Sequence, residues 1–472
     1  MRRFTWSALY LLIGLPTALA AQGFGIYEQG TCSMGRAGTG VAAPCADGSA
    51  MFFNPAGLAG LKGGHATVGV TLLDVQGGFT DNIFQHTTNL DNPILAVPQV
   101  YFAYGPTSKL GFGVSLFAPY GLETKWPLSF DGRFSGYDNI IRSIYIQPTV
   151  AYQVTPWLSL GGGLDIVMGK VELNQRLDLA QTPVDPALGV PAGTVFGQFG
   201  IAPGTDFADA HLEASKTVVT AHWGGIIKVN DKLSIGGRFL MQAQLDYSGT
   251  ASFTPVATNL ILPATIQAGL LTIPAGTPID TLLQAAPPTG LGVFSRQLVT
   301  QPVTTSITNP EQVVFGLAYK ARSDLTLFGD YQFTRWGKRL AELDISFPST
   351  PSLNRILYER YQNTNGFRLG GEWVKDAKWT LRGGFLHHDG AAPPETVTPL
   401  LPEGDRNEVT AGVTVTFSPQ VHGDLAYQYI KQNDRRGRTR EPLFNQQPTT
   451  GLNNGLYTFH AHLFGVSLGY TF

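Results

Sequence analysis

Charge is scarce in this 472-residue chain: 14% of its residues are Asp, Glu, Lys or Arg, and the formal net charge is only −2. With no basic stripe anywhere, a strongly basic nucleic-acid binder is excluded. Beyond residue 21 no apolar run approaches the ~18 to 20 residues that a transmembrane helix needs. The mature chain therefore cannot enter a membrane as helices. There is no Gly-x-Ser-x-Gly placed at a strand-to-helix elbow, and His387-His388 has no nucleophile beside it. An enzyme is not expected. Cysteine is nearly missing as well, with only Cys32 and Cys45 and no His at ligand spacing from them. Neither a metal nor a cofactor is expected. In an exported chain the two thiols either pair across a short loop or stay unpaired in a packed segment.

The N-terminus reads as an export signal. Arg2 and Arg3 precede an apolar run from Phe4 to Leu15, and Ala18-Leu19-Ala20 offers small residues for cleavage. Residues 1–21 are expected to be removed, which leaves the mature chain two charges more negative. What remains holds 56 Gly, 28 Phe and 17 Tyr, a composition of many short pleated segments.

From residue 64 onward apolar side chains recur at every second position, the period of a strand with two unlike faces. Leu233, Ile235, Gly237, Phe239, Met241, Ala243 and Leu245 form one such row, interleaved with Ser234, Gly236, Arg238, Gln242, Gln244 and Asp246. The connections alternate between short and long. The short ones, at 105–109, 155–157, 230–232, 321–324, 375–378 and 418–421, are rich in Pro, Asn, Asp, Ser or Lys. The long ones run from 77 to 95, 119 to 140, 172 to 212, 248 to 308, 348 to 364, 390 to 405 and 434 to 455. Six short turns and seven long loops require fourteen strands, the ninth read as one long bent strand over 324–347. An even number of strands with loops sorted by length predicts an all-β, antiparallel transmembrane barrel in a bacterial outer membrane. Only a closed barrel satisfies every backbone amide there.

Trp157 and Trp379 each follow a short turn, where an aromatic girdle meets the inner interface. The chain ends in alternation on Phe464, Val466, Leu468, Tyr470 and Phe472, a terminal strand of the sort that barrels present to their assembly machinery. Residues 22–63 are too apolar for a disordered tail and too short for a separate fold. A fourteen-stranded barrel encloses more space than its own side chains fill, so this segment is expected to be a plug in the lumen, with 64–472 forming the wall. Asn54 and Pro55 favour a tight turn that pins it.

The runs Gly23-Phe24-Gly25-Ile26-Tyr27-Glu28-Gln29-Gly30, Met34-Gly35-Arg36-Ala37-Gly38 and Phe52-Phe53-Asn54-Pro55-Ala56-Gly57-Leu58 resemble the plug of the FadL family, which includes the TodX-like proteins. Long third and fourth outer loops and Tyr120-Gly121-Leu122 after the third strand extend the resemblance over the whole mature chain. It implies a passive outer-membrane channel for long-chain fatty acids or aromatic hydrocarbons, closed by a hatch bearing the Asn54, Pro55, Ala56 motif. A general porin or a phage receptor is the alternative. It implies capture by the outer loops, where Leu260, Ile261, Leu262, Leu270, Leu271 and Leu282 are the apolar candidates. Inside, Arg238, Arg368 and Arg382 are candidates for a ligand carboxylate, with Asp330 and Glu372 also facing the lumen. Lateral release is implied at a kink in the third strand, here Phe117, Pro119 and Gly121, because proline donates no ladder hydrogen bond. The cysteine pair departs from the family pattern and bears on how freely the hatch rearranges. The expected partners are a hydrophobic small molecule, outer-membrane lipid, lipopolysaccharide (through Arg435, Arg436, Arg438 and Arg440) and the barrel assembly machinery, with the protein itself a monomer.

Overall fold

A pleated strand sends successive side chains to opposite faces, and the computed structural model turns that alternation into a closed wall. It describes residues 23–82, 85–184, 190–268, 271–286, 290–437 and 454–472. The signal segment, Leu270 and the basic residues Arg438 and Arg440 lie outside the described residues. Fourteen wall strands are formed by the described residues: β1 (Gly63–Asp81), β2 (Leu95–Gly105), β3 (Leu110–Lys125), β4 (Asp138–Thr155), β5 (Leu158–Asp178), β6 (Asp206–Lys228), β7 (Leu233–Leu240, resuming as Ala243–Pro255), β8 (Gln301–Asn309, resuming as Gln312–Lys320), β9 (Leu325–Thr334), β10 (Thr364–Val374), β11 (Trp379–His388), β12 (Arg406–Thr416), β13 (Val421–Gln432) and β14 (Gly455–Thr471). All pairings are antiparallel. The sheet closes where β14 meets β1, from Thr471 opposite His65 to Gly455 opposite Asp81.

The two faces of the wall differ as lipid and lumen require. On β14, Phe464, Val466, Leu468 and Tyr470 are exposed outside, while Leu463 and Ser467 are buried inside. The Gly465-Val466-Ser467-Leu468-Gly469 run thus lies mid-strand, where the Ser467 hydroxyl donates to Asp424 at 3.1 Å. Trp157 and Trp379 point outward at the ends with short turns.

Strand boundaries differ from the sequence reading on the outer side, where β1, β3 and β5 run on to Asp81, Lys125 and Asp178 and β6 begins at Asp206. β7 and β8 extend outward together, Gln301 pairing with Ala251 and Thr305 with Tyr247, so the loop between them shrinks to 256–300. β8 breaks at Pro310, which has no amide proton for the ladder. The ninth strand is not continuous to 347: it stops at Thr334 because Trp336 leaves the wall and packs, fully buried, against Phe24 (4.7 Å between ring centroids) and Tyr361 (5.7 Å). Its expected continuation, Glu342–Ser346, instead forms a hairpin with Arg355–Tyr358 among the outer loops and touches β8 at Thr304 and Thr305. A hairpin leaves and returns on one side, so the strand parity is unchanged.

The segment before β1 lies within the lumen. Short helical turns at Thr31–Met34, Ala50–Phe53 and Pro55–Gly60 bury Met34, Met51, Phe52, Phe53 and Leu58. The wall meets it with glycine. A Cβ added at Gly111, Gly236, Gly370 or Gly384 would collide with the hatch at Leu58, Val41, Arg36 or Ala37 respectively. Much of the unusual glycine content is therefore a seat that lets two backbones touch. Cys32 and Cys45 are bonded to each other across the hatch loop. Replacing both by Ser should cost about 3 kcal/mol of local stability for a loop of this size. Hydrogen exchange should quicken over residues 31–45, with the barrel's own unfolding unchanged.

Candidate functional site

The third strand carries a bulge that opens the wall. Phe117 pairs with Tyr145 and Tyr120 with Ser143, so Ala118 and Pro119 together face the single residue Ile144. On its other side β3 pairs with β2 only from Val100–Leu116 down to Tyr104–Phe112. Above Leu116 the two strands are unzipped, although β2 continues to pair with β1 as far as Leu95. Higher still, Asn92 and Lys125 rejoin the edges, the Lys125 amide donating to Asn92 Oδ1 at 2.7 Å. A window in the wall is left between these two closures.

Behind it stands the first stretch of the hatch. The Ile26 amide donates to the Pro119 carbonyl at 2.8 Å and the Gly121 amide to the Phe24 carbonyl at 3.0 Å, making Gly25 the antiparallel partner of Tyr120. The Gln29 side chain does the work of a missing strand: its Nε2 donates to the Ala118 carbonyl (2.9 Å) and its Oε1 accepts from the Ala118 amide (3.1 Å). From β2, Gln99 Nε2 reaches the Glu28 carbonyl at 2.7 Å. Phe117 points inward, fully buried, stacked on Tyr145 and edge-on to Phe52. Tyr120 is held by Gln312 and by the carbonyl of Pro310. Phe117, Pro119 and Gly121 thus come together around one opening whose inner leaf is a single short strand.

Asn54, fully buried, fastens the other end of the hatch. Its Oδ1 accepts from the Ala56 amide (3.1 Å), while its Nδ2 donates to the carbonyls of Val41 (2.6 Å), Gly225 (3.0 Å) and Gly237 (3.2 Å). One side chain thereby joins the Pro55 turn, the hatch loop and strands β6 and β7.

The three candidate arginines each reach the hatch or their wall neighbours. Arg238 donates to the Phe52 carbonyl (2.7 Å) and to Gln312, under the ring of Phe52. Arg368 lies 3.7 Å from the Tyr27 ring centroid and bonds Gln332 and His388, each at 2.8 Å. Arg382 pairs with Glu372 (2.8 Å), which also faces hatch residue Arg36 (3.4 Å). Asp330 accepts from the amides of Gly40 and Val41. These charges face hatch and wall, and each has at least one partner there.

The outer loops are not a loose greasy surface. Leu262 and Leu282 are buried in a small core of their own with Leu179, Phe196, Phe207 and Ile279, which locks loops 179–205 and 256–300 together. This corrects their expected exposure: pairing two apolar loops hides them from water. Leu260 and Ile261 remain exposed. Leu271 lies in a short strand paired with Ile266–Ala268. Arg435 is likewise held inside, on the Ala392 carbonyl, while Arg436 stays exposed. Beneath the loops is a cavity of about 440 Å³ lined by Phe134, Leu173, Leu212, Phe253, Phe347 and Leu357, with Arg355 and Glu359 among them.

A barrel of fourteen strands holding an N-terminal hatch against a bulged third strand is matched by the family described as outer membrane protein transport protein (OMPP1/FadL/TodX), whose model aligns with residues 14–472. This chain belongs to that family. Outer membrane protein P1 of Haemophilus influenzae is 24% identical over the full length of both chains. The long-chain fatty acid transport protein of Escherichia coli K12 is 21% identical over 99% of each. Among solved structures, a FadL homologue from Pseudomonas aeruginosa superposes with a TM-score of 0.75 at 19% identity, covering 96% of this chain and all of that one. The Pseudomonas putida toluene transporter TodX gives 0.65 at 18% identity, covering 96% of this chain and 99% of its own. The protein is an outer-membrane member of a family of transporters for hydrophobic compounds, which are channels and not enzymes.

Within this FadL/TodX barrel, sequence reasoning missed Ile26, Gln29 and Gln99 at the window. Gln29 carried a signal in hindsight, as a polar residue at the end of an otherwise apolar hatch run. Arg355 and Glu359 were missed because the hairpin that carries them had been read as wall strand and loop.

Proposed function

We propose that the protein is a passive channel that takes long-chain fatty acids from outside the cell into the outer membrane. Capture begins at the outer loops around Leu260 and Ile261. The apolar tail then rests in the cavity beneath them, and the ligand leaves sideways through the window at residues 116–121 into the bilayer. The observation that carries this reading is the window itself: an opening in a lipid-facing wall, backed by hatch residues 24–29. A solute that dissolves in lipid gains from such an exit, whereas a sugar or an ion does not.

The signal segment directs export and is removed in the course of it, and Phe472 ends the strand presented to the assembly machinery. A single chain suffices to close the barrel, so a monomer among lipid and lipopolysaccharide is the working form. Uptake of labelled oleate and toluene by cells carrying or lacking the protein tests the reading. Protein-dependent oleate accumulation is expected. Uptake of small sugars in its place would make the protein a porin, and toluene uptake alone would make it a hydrocarbon channel.

A further inference from the structure

Two ionisable side chains line the outer cavity with no side-chain partner among the described residues. Arg355 and Glu359 sit on the returning arm of the outer hairpin and both face the cavity. Every residue from Arg355 to Glu359 borders the cavity, and four steps of chain set the two ionisable ones at most about 13 Å apart. Leu357 lies between them, with Phe347 and Phe253 across the cavity.

Arg355, half-buried at the cavity, differs from the arginines packed between hatch and wall. Arg36, Arg238, Arg368 and Arg382 are each bound to a carboxylate, an amide or a carbonyl. The Arg355 side chain has no hydrogen-bond or ion-pair partner among the described residues, and burial with no neighbouring acid pulls its pKa down. Such a guanidinium needs an acceptor. Glu359 is 9% exposed, and its carboxyl has no hydrogen-bond partner among the described residues. Burial alone lifts its pKa to about 7, so at neutral pH a large share of it is a protonated acid that both donates and accepts. A second anion or a bare alkyl chain would leave that group unsatisfied. A hydroxyl would meet it.

We propose that this cavity binds an oxygenated long-chain fatty acid, with its carboxylate on Arg355 and a hydroxyl farther along the chain on Glu359. The apolar stretch between the two polar groups lies over Leu357 and Phe347. The assignment rests on the reading of the protein as a carrier of hydrophobic acids and narrows the acid that it prefers.

Equilibrium binding to the purified full-length protein in detergent separates the contributions, using oleate, ricinoleate (an oleate with one added hydroxyl) and ricinoleate methyl ester as probes. Wild type is expected to bind ricinoleate roughly tenfold more tightly than oleate, the value of one well-placed buried hydrogen bond. Glu359→Leu should erase that preference, bringing ricinoleate and oleate to equal affinity, and Glu359→Gln should keep part of it. Arg355→Leu should weaken both acids by roughly tenfold or more, as loss of a charged hydrogen bond does, and leave the methyl ester unaffected. Equal affinity of wild type for the two acids, or a preference that survives Glu359→Leu, overturns the proposal. Heat-modified gel mobility confirms that each variant is a folded barrel. Binding and transport fail separately: ricinoleate preference without uptake by cells refutes the channel reading, and uptake without preference refutes this site.

Discussion

Deletion of Pro119 should abolish fatty-acid uptake and leave a folded barrel. The bulge puts Ala118 and Pro119 opposite one residue of β4, and removing one of the two restores an even count between Phe117 and Tyr120. Both rings then keep their inward direction, because a strand alternates faces with period two. With the proline gone, β3 regains a donor above Leu116 and can zip to the unpaired edge of β2, which seals the window. Uptake of labelled oleate should fall to the level of cells lacking the protein. A covalent lock gives an independent test. Gly25 and Tyr120 face each other in an antiparallel bridge, a geometry that suits a disulfide. In a background lacking the native cysteines, Gly25→Cys with Tyr120→Cys should block uptake when oxidised and restore it on reduction. Unchanged uptake in both variants would remove the lateral route.

The second large effect concerns the glycine seat. Leucine at both Gly236 and Gly370 would drive side chains into the backbone of Val41 and Arg36, neither of which can yield as a flexible side chain does. Overpacking of this kind costs about 1–3 kcal/mol or more per site. It would also unseat the amides of Gly40 and Val41 from Asp330 and Arg36 from Glu372. The hatch should leave its place, and the variant in planar bilayers should pass steady ionic current where wild type stays closed. Cells should become sensitive to large hydrophilic antibiotics. A closed, silent double variant would mean that the hatch is held by something other than its fit to the wall.

The wall was legible from the sequence because its two determinants are local. Alternation is written in neighbouring residues, and the length sorting of turns and loops is written in their polar composition. The ninth strand failed for a non-local reason: Trp336 finds Phe24 and Tyr361, partners from distant parts of the chain, and their burial outweighs the strand's continuation. The surroundings of the arginines were hidden in a similar way. Alternation correctly turned Arg238 and Arg368 inward, yet it is silent about what already occupies the lumen, and Tyr27 and Phe52 reach them before any ligand does. At the window the proline in β3 was visible, but the borrowed hydrogen bonds of Gln29 to Ala118 join residues 89 positions apart. Arg355 and Glu359 became meaningful only once the hairpin stood over a cavity.

The seam between β1 and β14 sets an order of events in the life of the molecule. The hatch is made before β1 and β14 is made last, so the ring must be drawn shut around a segment already tucked inside. Cys32 and Cys45 then lie walled in, 6% and 7% exposed, beyond the reach of any oxidant too large to enter. Their bond has to be made while the chain still waits in the periplasm, as a clasp fastened on the cargo before the lid of the crate is nailed down.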